Sequence, residues 1–360
     1  MALSARSRRS AVARRPPTSA PDTGPLSGRV AIVAGATRGA GRGIARGLAE
    51  AGATVYCTGR SVRGRPSPYK RPETITETAD LIKAAGGTAI AVRVDHTQEK
   101  EVAALFRRVL KKHARVDIVV DSVAGEEPSM SQWCSFWDTN LANAELSFRQ
   151  ALLSHIITAK HAARAMVARK RGLIIEVTEG DGLGAGANPI AQTVKIALKT
   201  FALHMAAELQ PHGVTAVSVT PGFMRSETML EHFGVTEANW QDAGQRDSNF
   251  LESETPLFLG RGVAALAADP ALAAKTGQLL SSWELGRAYG VKDVDGRRPD
   301  WGAISIDFSM HPPQLLEVMR AGSEMQVQWL GTLQDRTRRL LQQLPPVPAK
   351  KTRRGRHAEL

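Results

Sequence analysis

Short apolar runs alternate along the chain with longer segments in which apolar residues recur every three or four positions. The first run, residues 29–34, reads RVAIVA and is bounded by glycines. Similar runs follow at residues 54–58, 88–94, 116–121, 173–177, 214–219 and 277–281. Nearly continuous apolar runs of this length are typical of strands that are buried on both faces of a parallel sheet. The pattern therefore predicts seven strands.

Helical segments are predicted between these strands. They cover residues 41–51, 73–85, 99–113, 147–169, 194–210 and 260–268. Strands that alternate with helices indicate an α/β fold, because right-handed crossovers place helices on both faces of a parallel sheet. We therefore predict a doubly wound, Rossmann-like sheet in a single domain over residues 26–302. Residues 303–344 are predicted to add a C-terminal helical extension.

Two basic tails, residues 1–25 and 345–360, flank this domain and are predicted to be disordered. Each tail holds five arginines or lysines against one acidic residue and lacks the apolar content of a core. The tails thus carry about two thirds of the formal net charge of +12. Because most of this charge lies outside the fold, it does not indicate a basic binding face, and we predict no specific nucleic-acid partner.

Composition sets further expectations about the environment of the protein. The two cysteines, Cys57 and Cys134, are too few for a disulfide framework, and no Cys/His cluster has zinc-like spacing, so no metal site is predicted. No stretch approaches ~18 uninterrupted apolar residues, which predicts that no helix spans a membrane. These features favour a reducing, cytoplasmic location.

The segment between the first strand and the first helix has the glycine pattern of a phosphate-binding loop. It reads Gly35-Ala36-Thr37-Arg38-Gly39-Ala40-Gly41, with spacing GxxxGxG. Glycine permits close approach of the backbone to a pyrophosphate, and the helix N-terminus supplies N–H groups and a positive dipole. This loop is therefore predicted to bind a dinucleotide through Gly35, Thr37, Arg38, Gly39 and Gly41.

The end of the second strand indicates which dinucleotide is bound. An NAD site places an acidic residue near this position to hold the ribose hydroxyls, but the segment reads Thr-Gly-Arg-Ser. Arg60, together with Arg38, suits a 2′-phosphate instead, which favours NADP(H). Asp95, after the third strand, can accept a hydrogen bond from the adenine amino group. The alternative is that Asp95 caps the helix at residues 99–113.

Taken in order, these features resemble the short-chain dehydrogenase/reductase family over residues 28–282. Residues 282–297 (SWELGRAYGVKDVDGR) are most similar to the member-one-like branch of that family and to a related bacterial branch. The resemblance implies the doubly wound fold, use of NADP(H), a small-molecule substrate and a homo-oligomer. It also implies cofactor contacts at Ala124, Gly125, Lys195, Pro221, Gly222 and Ser226.

The catalytic signature of the family, Tyr-x-x-x-Lys, is incomplete in this chain. Lys195 is present, but Ala191 stands where the tyrosine is expected. The family serine has two candidate positions, because Glu179 matches it by motif and Thr178 matches it by distance from residue 191. The tyrosine normally donates a proton to the developing alkoxide, and loss of such an acid typically costs ~10²–10⁴ in rate.

Three functions therefore stay open. The first is an oxidoreductase acting on a carbonyl or alcohol, with the proton delivered by Thr178, Glu179, Asp181 or a water held by Lys195. The second is a redox-inactive NADP(H)-binding pseudoenzyme or partner subunit. The third is a non-redox dehydratase or epimerase on the same scaffold.

Aromatic and histidine side chains allow further interpretations. Five aromatic residues follow strands at the edge where ligands bind in such sheets, and they indicate either an apolar substrate pocket or a packed interface. They are Trp133, Phe136, Trp137, Phe223 and Trp240. Three helical histidines, His155, His161 and His204, are predicted to be packing or surface residues rather than ligands.

Overall fold

The computed structural model describes residues 24–66, 71–125, 136–180 and 189–303. Within these residues seven parallel strands form one sheet in the order β3-β2-β1-β4-β5-β6-β7. The strands are β1 (Val30–Ala34), β2 (Thr54–Gly59), β3 (Thr88–Arg93), β4 (Ile118–Asp121), β5 (Gly172–Val177), β6 (Val214–Thr220) and β7 (Leu279–Ser281). The predicted Rossmann-like domain and its seven strands are confirmed.

Helices flank the sheet. They are α1 (Gly39–Glu50), α2 (Ile75–Ala84), α3 (Glu99–His113), α4 (Leu141–Ser147), α5 (Ser154–Val167), α6 (Pro189–Leu209), α7 (Glu227–Phe233), α8 (Pro256–Ala268) and α9 (Ser282–Tyr289). A π-helical turn, Phe148–Leu153, joins α4 to α5. Short 3₁₀ turns include Trp240–Gln245, Ser248–Glu252 and Trp301–Ala303.

The strands are apolar at successive positions because both faces of the sheet are buried. Side chains alternate between the faces of a strand. In β1, Ala31 and Val33 pack into a core with α1, α2 and α8, whereas Val30 and Ile32 pack into a second core with α3, α5 and α6. The two apolar cores hold the sheet between two helical layers.

Helices α1 and α8 cross at a contact that only glycine allows. A Cβ atom on Gly43 would lie 1.9 Å from the carbonyl oxygen of Pro256, and one on Gly47 would lie 2.2 Å from the carbonyl carbon of Gly260. Real Cβ atoms do not approach other atoms this closely, so the two helix backbones are in direct contact. This contact fixes α1 against the domain.

Some helix boundaries differ from the predictions because capping residues decide where a helix begins. The helix predicted at residues 147–169 is interrupted by the π-helical turn and begins at residue 141, where the Asn140 side chain accepts from the backbone N–H of Ala142. The helix predicted at residues 260–268 begins at Pro256, because the Thr255 hydroxyl caps it. The helix predicted at residues 194–210 begins at Pro189.

Several predictions fall outside the described residues. These are most of the N-terminal tail, the C-terminal extension and tail after residue 303, and the side chains of Cys134, Trp133 and Asp181. Among the helices of the described part, none is both long and apolar enough to cross a lipid bilayer.

Candidate functional site

Two adjoining cavities lie at the carboxyl ends of the strands. The larger has a volume of about 430 Å³ and the smaller about 110 Å³. Arg38, Ser122, Val123 and Ala124 line both, so one cleft runs along this edge of the sheet. Ligands of open α/β sheets bind at this edge.

The cleft brings together all but one of the predicted cofactor and catalytic residues. The larger cavity is lined by Arg38, Gly39, Gly41, Ala124, Thr178, Glu179, Lys195, Pro221, Gly222 and Ser226. The smaller cavity is lined by Gly35, Thr37, Arg38, Arg60, Asp95 and Ala124. Gly125 lines neither, because it packs beneath the cleft, where a Cβ atom would lie 2.3 Å from the Cβ of Gln150.

The phosphate loop is built from close backbone contacts. Gly35 has a φ of +79°, and a Cβ atom on it would lie 2.2 Å from the carbonyl oxygen of Ser122. A Cβ atom on Gly41 would lie 2.3 Å from the carbonyl oxygen of Gly35. Glycine is thus required at both positions, and the first turn of α1 faces the cleft.

A carboxylate already binds the N-terminus of α1. The backbone N–H of Gly39 donates to Glu227 Oε2 over 2.7 Å, and Glu227 Oε1 lies 3.2 Å from Arg42 Nη1. Anions are stabilised at a helix N-terminus by its free N–H groups and dipole. The N-terminus of α1 therefore accepts the negative charge of the Glu227 carboxylate. This property also suits the binding of a diphosphate.

Arg60 and Asp95 lie in the smaller cavity as the sequence predicts. Arg60 is half-buried, and its Nη2 donates to Gln150 Oε1 over 3.4 Å. Asp95 Oδ1 accepts from the backbone N–H of Thr97 over 3.0 Å and from the Thr97 hydroxyl over 2.7 Å. The alternative role of Asp95 as a helix cap is wrong, since α3 begins after Gln98.

The catalytic candidates have unequal access to the larger cavity. The Thr178 hydroxyl donates to the carbonyl oxygen of Lys195 over 3.2 Å, so its proton is directed at the backbone of α6. Glu179 is exposed, and Lys195 is half-buried on α6. Ala191 is 4 % exposed and presents only a methyl group where the family carries a phenol. Among the described lining residues of this cavity, none is a tyrosine.

The apolar wall of the larger cavity differs from the aromatic set that the sequence indicated. Among the members of that set that the structure describes, only Phe223 lines the cavity. Trp240 is buried beside Phe250 and beneath the Arg225 guanidinium, while Phe136 and Trp137 are exposed. The sequence reasoning missed the other apolar lining residues, which include Val177, Leu198, Met224, Met229, Trp283 and Trp301.

A buried glutamate supports the Pro-Gly turn that follows β6. Glu254 Oε2 accepts from the backbone N–H of Gly222 over 3.1 Å and from the Ser282 hydroxyl. Burial raises the pKa of Glu254 from 4.5 to about 8, although these two hydrogen bonds oppose the change. Glu254 was not predicted from the sequence, since nothing near it in the chain matches a site motif.

Another buried cluster lies beneath the cleft, and sequence reasoning missed it. His155 of α5 lies 2.5 Å from Glu176 Oε2 through Nδ1 and 3.0 Å from the carbonyl oxygen of Val123 through Nε2. Burial disfavours its charged form, but the Glu176 carboxylate more than offsets this and raises the pKa of His155 to about 9. His155 is therefore a buried polar residue, whereas His204 is exposed and His161 stacks on Phe106.

Comparison with known proteins now assigns the family. The profile described as short chain dehydrogenase matches residues 29–233. The human protein named dehydrogenase/reductase SDR family member 1 is 35% identical over 278 residues, which cover 76% of this chain and 85% of that protein. The chain belongs to the short-chain dehydrogenase/reductase family, whose members are oxidoreductases that bind nicotinamide cofactors.

More distant relatives match in sequence, and solved structures match in fold. A 3-oxoacyl-[acyl-carrier-protein] reductase from Synechocystis is 28% identical over 56% of this chain and 77% of that protein. Among solved structures, a short-chain dehydrogenase/reductase from Mycobacterium marinum has a TM-score of 0.57 at 26% identity, covering 71% of this chain and 94% of its own. The NADPH complex of an actinorhodin polyketide ketoreductase variant has a TM-score of 0.58 at 23% identity, covering 71% of this chain and 96% of its own. At that identity the ketoreductase shows the fold alone.

Proposed function

We propose that the chain binds NADP(H) in the cleft formed by the two cavities. We further propose that it is a carbonyl reductase with a degenerate active site and slow turnover. The observation that carries this proposal is the position of Lys195 and Glu179, which line the same cavity as Gly39 and Gly41 of the phosphate loop. A dinucleotide held on the N-terminus of α1 would extend its nicotinamide end toward Lys195 and Pro221. The adenosine end would occupy the smaller cavity.

The choice of NADP(H) over NAD(H) rests on charge in the smaller cavity. Arg38 and Arg60 line it, and no acidic residue occurs in the segment Gly59-Arg60-Ser61 that follows β2. A guanidinium pairs with phosphate through parallel hydrogen bonds, and such charge-assisted bonds are stronger than neutral ones. We infer that these arginines hold a 2′-phosphate, with Asp95 beside the adenine.

The chain's own residues would have to orient a carbonyl and protonate its oxygen. NADPH, when bound, supplies the hydride that is added to the carbonyl carbon. Glu179 is the only carboxylate among the described residues that line the larger cavity, so we propose that Glu179, or a water held by Lys195, delivers the proton. The exposed position of Glu179 is a poor substitute for an enclosed phenol, which is the physical reason to expect slow turnover.

The proposal is tested by NADPH consumption with simple ketones and quinones, after NADPH binding has been measured by calorimetry. We expect saturable binding, slow turnover, and loss of turnover without loss of binding in Glu179→Gln. Ala191→Tyr should raise the rate at least tenfold if a missing acid limits it. Thr193→Tyr, at an exposed position of the same helix, is the matched control and should have no effect.

The outcomes separate the alternatives. Fast reduction that Glu179→Gln leaves unchanged would contradict the degenerate site. No binding of NADPH at saturating concentration would overturn the whole proposal.

A second candidate is a redox-inactive cofactor-binding subunit. The orientation of Thr178 favours it, because a hydroxyl that donates to the Lys195 carbonyl does not donate to a substrate oxygen. This candidate predicts NADPH binding with no turnover in the wild type or in Ala191→Tyr. Measurable wild-type turnover would exclude it.

We also propose that the chain forms a homo-oligomer. Large apolar side chains are exposed on α4, α5 and α6, among them Leu141, Ile156 and Leu203. Helix α6 contacts both α4 and α5, and large apolar side chains left exposed on adjoining helices support an interaction surface. Light scattering coupled to size exclusion should give a multiple of the 38.7 kDa chain mass, and a monomer at micromolar concentration would contradict the proposal.

A further inference from the structure

Two carboxylates meet on one buried face of the sheet, beneath the cleft. Asp121 ends β4 and pairs in register with Glu176 of β5, so their side chains lie on the same face. His155 of α5 packs against that face. Asp121 and Glu176 are 0% exposed and His155 is 1% exposed. One ligand atom from each of the three residues lies within 4.8 Å of the other two.

Oxygen atoms in this cluster lack the partners that buried oxygens require. Neither carboxylate oxygen of Asp121, nor Oε1 of Glu176, accepts a hydrogen bond. The Thr158 hydroxyl, which lies close to Asp121, is shared with two other partners, the carbonyl oxygen of Ser154 at 2.8 Å and His96 Nδ1 at 2.8 Å. Buried polar atoms without partners are rare and costly, more so for charged groups. A proton on one carboxylate can form a hydrogen bond between two of these oxygens. A divalent cation can instead be coordinated by all of them.

The orientation of His155 matches that of a metal ligand. Its Nε2 faces the carbonyl oxygen of Val123 at 3.0 Å, which places a proton on Nε2. Without an ion, the 2.5 Å contact between Nδ1 and Glu176 Oε2 holds a proton, which a cation would have to displace in order to bind the Nδ1 lone pair. Histidines that bind metals are held in this way, with the second ring N–H donated to a backbone carbonyl or a carboxylate.

We propose that Asp121, His155 and Glu176 form a binding site for one divalent cation. Once the cluster has released its protons to solvent, two carboxylates and a neutral imidazole supply a charge of −2, which a dication neutralises in the dry interior. One nitrogen and two or more oxygens suit Zn²⁺ or Mn²⁺. Bonds of about 2.0–2.2 Å separate two ligand atoms by about 3–4.4 Å. The contact of 2.5 Å between His155 and Glu176 therefore widens on binding.

The position of the ion gives it a structural consequence. His155 holds the carbonyl oxygen of Val123, and Val123 lines both cavities of the cleft. An ion that fixes His155 would also fix the loop after β4, which forms the wall between the two cavities. The site is distinct from the cleft itself, since its three side chains do not line either cavity.

The test uses the full chain without a histidine tag, dialysed against EDTA and then against buffer. Calorimetric titration with Zn²⁺ and, separately, Mn²⁺ should show one ion bound per chain, with a rise in Tm. Asp121→Asn and His155→Gln should each weaken this binding at least tenfold and abolish the rise in Tm. His161→Gln is the matched control, because His161 lies on the same helix beside Glu99 and should leave binding unchanged.

Two results would overturn the proposal. The first is the absence of saturable binding of either ion to the wild type. The second is binding that Asp121→Asn retains in full. Asp121→Asn is nearly isosteric and removes an unpartnered carboxylate, so it keeps the test valid even if His155→Gln fails to fold. No nicotinamide nucleotide is present in the assay, so its outcome does not depend on the proposed function.

Discussion

Glu227 occupies the position at which a diphosphate is expected, and its removal should tighten NADPH binding. Its Oε2 accepts from Gly39 at 2.7 Å, and its side chain is 26% exposed. A diphosphate that uses the same N–H must displace this carboxylate. Replacing Glu227 with glutamine keeps the shape of the side chain and removes its charge.

The size of the effect follows from the bond that is exchanged. A hydrogen bond to a charged group contributes about 1.5–3 kcal/mol and a neutral one about 0.5–1.5 kcal/mol. Because Glu227 is partly exposed, we take the lower end of the difference, about 1 kcal/mol, which is a roughly fivefold lower Kd. Arg42 stays in place in the variant because it also binds Glu77 at 2.8 Å.

The assay is calorimetric or fluorescence titration of NADPH into wild type and Glu227→Gln at one fixed ionic strength. Glu77→Gln is the matched control, since it removes the other carboxylate partner of Arg42 without a contact to Gly39. We expect tighter binding in Glu227→Gln alone. An unchanged or weaker affinity in Glu227→Gln would refute the idea that Glu227 and the diphosphate compete for α1. Equal gains in both variants would indicate a general effect of net charge.

Three further predictions concern other parts of the cleft. Arg60→Ala should weaken NADPH binding at least tenfold and leave NADH unchanged, whereas Arg63→Ala, at an exposed arginine paired with Asp80, should alter neither in titration. Glu254 keeps its proton in the folded chain up to a pH of about 8 but loses it near 4.5 when unfolded, so its contribution to stability falls as pH rises between these values. Between these two pH values the denaturation midpoint of the wild type should therefore fall more than that of Glu254→Gln. Parallel pH profiles of the two proteins would contradict this. Gly47→Ala should lower the free energy of unfolding by about 3 kcal/mol, because its Cβ meets backbone; an unchanged Tm would show that the helices can separate.

The sheet was predictable because its residues carry the information locally. Each strand is buried on both faces, so each leaves an apolar run such as RVAIVA at residues 29–34. The phosphate loop was predictable for a similar reason, since its glycines and the neighbouring strand and helix are contiguous. Helix starts were harder to predict, because one capping side chain such as Thr255 decides them and many residues can serve.

The deeper parts of the site were not predictable from local pattern. Asp121, His155 and Glu176 come from three elements, and only the register of β4 with β5 brings the two acids together. The local signals were two acidic residues in apolar runs, one ending VDIVVD at residues 116–121 and one inside LIIEV at residues 173–177. The apolar wall of the larger cavity was also not predictable, because Trp283 and Trp301 line it from segments near the end of the described chain.

The direct contact of α1 with α8 limits how this protein can change over time. A side chain added at Gly43 or Gly47 meets the main chain of the neighbouring helix, and every amino acid has the same main chain. Shortening a side chain on α8 does not make room for it, so only a shift of one whole helix could suppress such a substitution. Because α1 also presents the phosphate loop, a substitution at either glycine should displace the dinucleotide seat together with the helix.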